Sequence, residues 1–489
     1  MSLRVYNYLT RQMEEFAPLH EGWVGMYVCG PTVYDHSHIG HAKTYVSMDV
    51  VVRYLRYLDY RVRYVQNITD VGHLLDTGED RILKGAARDR VEPMELVEFY
   101  ARSYFEDMDA LRVTRPDISP RASGHILEQI ELVKELLARG HAYEANGSVY
   151  FSVQSFPEYG KLSHRRVEET QTRKERKQEG VRVDVERDKR HPADFALWKR
   201  AEPEHIMRWS SPWGSGFPGW HAECTAMSTK YLGQPFDIHG GGVDNLFPHN
   251  ECEIAQAEAA TGVAFARYWL LTGTLTVGGV NMSKSLGNFV TIKEALKRWR
   301  PEAIRFFVLN SHYRSRVDFS EAALDAAGRG VERLHGAVAV LRGLLRAGAD
   351  GGEVDAAWAD RLAEVRTRFA EAMDDDFNTA GALGVLFELT REVNSLLGSG
   401  EPTSQATLAA IDNVYRDCGE AVLGLIPDPL PQQAGAGLED ALVRLLIELR
   451  QEEREKKDWG RSDAIRDRLA EIGVVLEDGP DGTRWRLGR

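Results

Sequence analysis

A chain of 489 residues has room for about three domains, and its 43% hydrophobic content supports sizeable cores. A formal net charge of −13 excludes a non-specific nucleic-acid coat, which is basic throughout. Four scattered cysteines are too few for a disulfide framework, and no apolar run has signal-peptide or membrane-span length, so the expectation is a soluble cytoplasmic protein with no membrane association.

The apolar run 24–28 ends at Cys29 and the breaker pair Gly30-Pro31; a polar segment follows, then an amphipathic run over 42–58. Strand, loop and helix in that order open a parallel α/β sheet. Ligands of such sheets lie at the carboxyl ends of the strands, where Cys29 and the loop His38-Ile39-Gly40-His41 stand. Gly40 lets a phosphate approach the backbone, the helix start favours anions, and two imidazoles can donate to them. Turn and cap chemistry alone would use the same residues.

Residues 60–68 alternate as a second strand that closes at Thr69-Asp70. Helical periodicity returns over 93–109 and 121–139, with Gly140 as a stop, and 148–153 reads as a short strand. The charged segment 164–190 is either a solvated loop or an RNA contact. Residues 115–204 therefore read as an insertion, and the sheet is expected to resume near Trp209. A helical run through Cys224, a strand over 235–239, a helix beginning at Pro248 and strands at 268–271 and 274–277 complete that half. Beyond 301 the pattern is helical, broken by a Pro-rich linker at 426–431. The last module reads as a charged helix pair and a hairpin around Asp481-Gly482. The expected division is 1–114, 115–204, 205–277, 278–320, 321–428 and 436–489.

Cys29 at a strand end, Cys224 on a helix, and His249 with Glu253 four apart on one helical face make a plausible tetrahedral zinc set. Spacing alone leaves packed core residues as the alternative. Cys252 points about 100° away from Glu253 on a helix and reads as a small buried residue, as does Cys418 in the helical region. The last module interleaves Arg454, Lys456, Lys457 and Trp459, and carries Arg484-Trp485-Arg486 beyond the hairpin. Such groups suit base stacking with phosphate contact; a solvated helix with one core Trp is the other reading.

Asn281-Met282-Ser283-Lys284-Ser285 is a small-residue loop whose Lys can clamp a leaving pyrophosphate. With His38-Ile39-Gly40-His41 before it, the pair resembles the two signatures of class I aminoacyl-tRNA synthetases. Tyr27-Val28-Cys29-Gly30-Pro31-Thr32, Asn67-Ile68-Thr69-Asp70, Gly219-Trp220-His221-Ala222-Glu223-Cys224, His239-Gly240-Gly241-Gly242-Val243-Asp244 and Pro248-His249-Asn250-Glu251-Cys252-Glu253 closely resemble the cysteinyl-tRNA synthetase family. The likeness runs nearly end to end, through Met373-Asp374-Asp375-Asp376-Phe377-Asn378 and on to Leu476-Glu477-Asp478-Gly479-Pro480.

That resemblance implies an α/β fold, a Rossmann-like core split by the insertion, followed by a helical anticodon-binding bundle and a small α+β module. It implies zinc on Cys29, Cys224, His249 and Glu253, and ATP with Mg²⁺ at His38, Gly40, His41, Gly241, Asp244 and Lys284. His38, His41 and Lys284 would be catalytic, and Thr69, Trp220 and His239 would line the cysteine pocket. The implied activity is formation of cysteinyl-adenylate and its transfer to the 3′-terminal adenosine of tRNA(Cys), by a monomer. Zinc would select the cysteine thiolate over serine, making an editing domain unnecessary. Arg454, Lys456, Lys457, Trp459, Arg484 and Arg486 would meet the tRNA. Two departures stand out: Asn281 replaces the first Lys of the second signature, and Asn250 stands where His is frequent. A ligase joining cysteine to a small amine shares this core, and a non-catalytic RNA-binding descendant is the reading from another class; the long helical region and the retained site argue against them.

Overall fold

The computed structural model describes all residues except Met1, 73–79, 166–187, 204, 283–287, 349–350, 401, 432–437, 472–473, 480–481 and 488–489. For 438–441, 475, 477–479, 482, 484 and 486–487 it describes the backbone alone. The chain forms two compact units, Met1–Ile426 and Pro427–Arg489.

The parallel sheet and its helices are β1 (Trp23–Val28), α1 (Ile39–Tyr57), β2 (Arg61–Gln66), α2 (Trp220–Leu232), β3 (Phe236–Gly242), α3 (Glu251–Thr261) and β4 (Ala266–Thr272). Its four strands are parallel in the order β4-β3-β1-β2. From β1 the chain steps outward to β2, and it later returns on the other side of β1 as β3. The gap beyond the ends of β1 and β3 is therefore the point at which the winding reverses, where such sheets bind ligands. Asp237 locks this pair at its other end, accepting from the Leu19 and Gly25 amides at 2.6 and 2.7 Å.

Between β2 and α2 lie the helices Arg81–Asp89, Pro93–Ala110 and Ile126–Ala138, then a five-stranded antiparallel sheet. That sheet includes Trp209–Ser211 and Gly214–Pro218, so the insertion ends at α2 and the parallel sheet does not resume at Trp209. The Gly- and Pro-rich stretch 211–219 reads as a loop in sequence, and its place in this sheet comes from antiparallel pairing of Gly214–Pro218 with Phe195–Arg200 and with Trp209–Ser211. The insertion does not stand apart. Ile130, Val133, Phe151, Leu197 and Trp198 share one buried core with Cys252, Ala255, Ala259 and Ala260 of α3.

Strands Leu275–Val277, Val280–Asn281 and Val317–Phe319 pair as a small sheet beside the core. The helices Glu321–Ala347, Ala356–Asp374, Thr379–Ser399 and Gln405–Val414 form the expected bundle around Leu334, Leu341, Val365, Phe369, Leu386 and Ile411. In the second unit, Leu438–Glu455 and Trp459–Glu471 precede a hairpin of Val474–Gly479 and Gly482–Leu487. Its small core is Val443, Leu469 and Val474, with Trp485 packed against it. No helix of the described residues is long and apolar enough to cross a membrane.

Candidate active site

β1 delivers Cys29 to the switch point, and a glycine holds it there. A Cβ on Gly30 would stand 1.6 Å from the Asn67 carbonyl oxygen. With hydrogen in its place, the Gly30 amide donates to Asn67 Oδ1 at 2.8 Å, clasping the end of β1 to the end of β2. Cys224 comes from the first turns of α2. His249 and Glu253 come from the kinked turn 246–250 and the start of α3; the helix begins at Glu251, three residues later than Pro248, because Phe247 is extended. The spacing of four nonetheless brings His249 Nε2 to 2.7 Å from Glu253 Oε1.

One ligand atom from each of Cys29, Cys224, His249 and Glu253 lies within 4.8 Å of the others, and all four residues are buried. Around them stand residues that hold their orientation. His239, fully buried on β3, lies with Nε2 2.5 Å from Glu253 Oε2. His221 Nδ1 is 3.0 Å from His249 Nδ1, and the Trp220 ring stacks on His249 at 4.4 Å. Asn250 Nδ2 reaches Glu253 Oε1 at 3.3 Å and Cys29 Sγ at 3.7 Å. The hydrogen bond to Cys224, then burial, pushes the Cys29 thiol up. Burial opposes ionisation of Cys224, yet its hydrogen bonds to Cys29 and His249 draw it down to about 6. Burial also disfavours the His249 imidazolium, but Glu253 and Cys224 push it up to about 10. Protons are thus held on Cys29 and His249 of a cluster of two sulfurs, one nitrogen and one carboxylate, a donor set that suits zinc. Cys252 takes no part in it: fully buried, it lies in the insertion core with its sulfur 3.4 Å from Tyr159 Oη. Cys418 is likewise buried.

In the same crevice His38 caps α1. Its Nδ1 accepts from the Gly40 amide at 3.1 Å, and the His38 amide donates to His41 Nδ1 at 3.2 Å. The two rings stack at 3.9 Å. With each Nδ1 an acceptor, each neutral ring carries its proton on Nε2. Burial lowers His38 to about 4 and holds His41 well below the usual range. A Cβ on Gly40 would meet the His38 ring at 2.8 Å. On Gly241 it would find only ordinary contacts at 3.7 and 3.9 Å, leaving space there; Asp244 is exposed on the turn just after β3.

Lys284 lies outside the described residues. The residues beside its segment meet the His38 turn: Met282 Cε would stand 3.0 Å from a Cβ on Gly40, and the Phe289 ring packs edge-on to His38 at 5.1 Å. The Ile39 amide donates to the Val290 carbonyl and Ile292 to Ser37. Thr69 bridges to Thr32 and Pro31 at the end of β2, next to Asn67 Nδ2 at 3.0 Å. In the second unit Trp459 is exposed, Lys456 and Lys457 are exposed, and Arg454 is half-buried. The side chains of Arg484 and Arg486 lie outside what is described, and the charged segment falls there over 166–187. Sequence reasoning missed His221, which adjoins Trp220 in the quoted motif but meets His249 only through the fold.

A split parallel sheet with this histidine turn at its switch point defines a class I aminoacyl-tRNA synthetase. The family model for the class I (C) tRNA synthetase catalytic domain matches residues 15–329, a DALR domain matches 368–427, and a cysteinyl-tRNA ligase anticodon-binding domain matches 438–486. Among solved structures, methionyl-tRNA synthetase of Mycobacterium tuberculosis aligns with a TM-score of 0.59 at 16% identity, covering 84% of this chain and 92% of that one. The leucyl enzyme of Agrobacterium radiobacter aligns at 0.60 and 12%, covering 83% and 85%. Cysteine–tRNA ligase of Chlorobium chlorochromatii is 50% identical over all of both chains. That of one Thermus thermophilus strain is also 50% identical over all of both chains, and that of Deinococcus radiodurans 49% over 99% of this chain and 97% of its own. The chain belongs to the cysteine–tRNA ligase family.

Proposed function

We propose that the chain activates L-cysteine with ATP, passes it to the 3′-terminal adenosine of tRNA(Cys), and selects it by its thiol at a zinc ion held by Cys29, Cys224, His249 and Glu253. The observation that carries this is the convergence of four buried donors beside the His38–His41 turn at one switch point. When bound, zinc supplies a thiophilic Lewis acid that favours a deprotonated thiol over a hydroxyl. The chain's own residues do the rest. Thr69, Trp220 and His239 shape the cysteine subsite, His239 acting through the Glu253 carboxylate that it holds.

The cysteine carboxylate oxygen attacks the α-phosphorus, the bond to the bridging oxygen breaks, and pyrophosphate leaves. His38 and His41 donate through Nε2–H to the phosphate oxygens as charge builds, already oriented by their backbone bonds. Gly40, Gly241 and Asp244 receive the nucleotide, and Lys284 with Mg²⁺ holds the pyrophosphate, carrying more of that charge because Asn281 supplies none. A ribose hydroxyl of the tRNA then attacks the acyl carbonyl and AMP leaves. The bundle of 321–428 and the module of 436–489 hold the anticodon arm, with Arg454, Lys456, Lys457, Trp459, Arg484 and Arg486 at the RNA. The enzyme works as a monomer in the cytoplasm.

Purified protein with ATP, Mg²⁺ and cysteine should exchange pyrophosphate and charge tRNA(Cys). Exchange without charging would leave a ligase for a small amine; absence of both would remove the catalytic reading.

A further inference from the structure

We propose that His221, which is not one of the four donors, is a positioning residue that decides which nitrogen of His249 faces the metal. The inference rests on the zinc reading above. His249 Nε2 points inward, 2.7 Å from Glu253 Oε1, while its Nδ1 stands 3.0 Å from Nδ1 of His221. One proton lies between the two Nδ1 atoms. If His221 carried it, a neutral His249 would have its own proton on Nε2, aimed at the metal position, and could not ligate. Ligation through Nε2 therefore requires His249 to donate from Nδ1 and His221 to accept, with the His221 proton on its Nε2.

His221 is built to stay in place. Its carbonyl accepts from Gln256 Nε2 at 2.8 Å, tying α2 to α3, and its ring meets Phe195 of the insertion edge-to-face at 5.6 Å. A metal-ligating histidine is commonly oriented by a carboxylate or a carbonyl. Here two thiols and a carboxylate already bring up to three negative charges to the site, and a further carboxylate would bury a fourth. A neutral imidazole orients His249 without that cost.

Size-matched variants test this. Asn Oδ1 in His221→Asn sits the same number of bonds from the backbone as His Nδ1 and can accept; His221→Leu has the bulk and no acceptor. Zinc affinity is read by competition with a chromophoric chelator, and folding by the melt of the metal-free proteins. His221→Leu should lose about 10- to 100-fold in affinity, and His221→Asn should retain most of it. Equal losses in both, or a Leu variant binding as tightly as the parent, would overturn the assignment. If the Leu variant fails to fold, ¹⁵N spectra of the histidine-labelled, zinc-loaded parent decide: a proton on His249 Nδ1 and on His221 Nε2 supports it, and a proton on His221 Nδ1 refutes it. A parent that binds no zinc would defeat the zinc reading itself.

Discussion

At His38 and His41 the protonation state follows from the backbone, since both Nδ1 atoms already accept amide protons and burial keeps the rings neutral. His41→Ala should cut cysteine-dependent pyrophosphate exchange by about 10²- to 10³-fold, the usual cost of one preorganised donor. Because both folded pKa values are depressed, the stability these rings contribute is present above the ordinary value of 6.5 and is lost as pH falls toward about 4. Urea midpoints of the parent should therefore drop between those limits more steeply than those of His38→Asn. At the cluster, protons on Cys29 and His249 must leave before a metal enters. Zinc uptake in a weak buffer should release protons, and its apparent affinity should rise with pH. Zinc removal should weaken cysteine activation and narrow the gap to serine; full discrimination by metal-free enzyme would contradict the reading. The four donors were legible from motif residues. Their supports were not, since His221, His239 and Asn250 acquire their meaning only when α2, β3 and α3 meet.

Among the elements, α1 does more than present its first turn. Its middle residue Asp49, fully buried, pairs at 2.5 Å with the equally buried Arg305 of the helix Pro301–Leu309. Arg305 also donates to the carbonyls of Leu423 at 2.6 Å and of Leu111 and Arg112 at 3.3 Å. The same guanidinium thus binds α1, the end of the helix Pro93–Ala110 and the segment that follows the last bundle helix, at Leu423. Arg305→Met would strand the Asp49 carboxylate, and the loss expected for half of a buried pair is about 3–5 kcal/mol, measured by urea unfolding. The double variant with Asp49→Leu should recover part of it. Periodicity predicted the helices 93–109 and 301 onward well. It gave no hint of this node, because an arginine in a helix usually reads as a solvated face.

For the whole molecule, the chain divides into two compact units, and the proposed function gives them separable tasks. Truncation after Ile426 should leave cysteine-dependent pyrophosphate exchange unchanged and raise the KM for tRNA in charging, more so at higher salt. Equal loss of both reactions would mean that the last module also supports the adenylate site. The run of helices beyond 301 and the break near 427 were readable from composition and periodicity. The insertion's far boundary was not, because the Gly- and Pro-rich stretch 211–219 reads as a loop, and Gly214–Pro218 meets its partner Phe195–Arg200 only in space.

The helix carrying Glu253 has two sides, one turned to the donors and one sunk in the insertion's core through Cys252, Ala255, Ala259 and Ala260. Anyone exchanging the insertion between family members is therefore also replacing the seat of one of the proposed zinc donors. A graft at 115–218 would keep its footing only if those four small residues travelled with it or were recut to the incoming surface. Swaps that ignore this should fail first in metal retention, well before the parallel sheet itself comes apart.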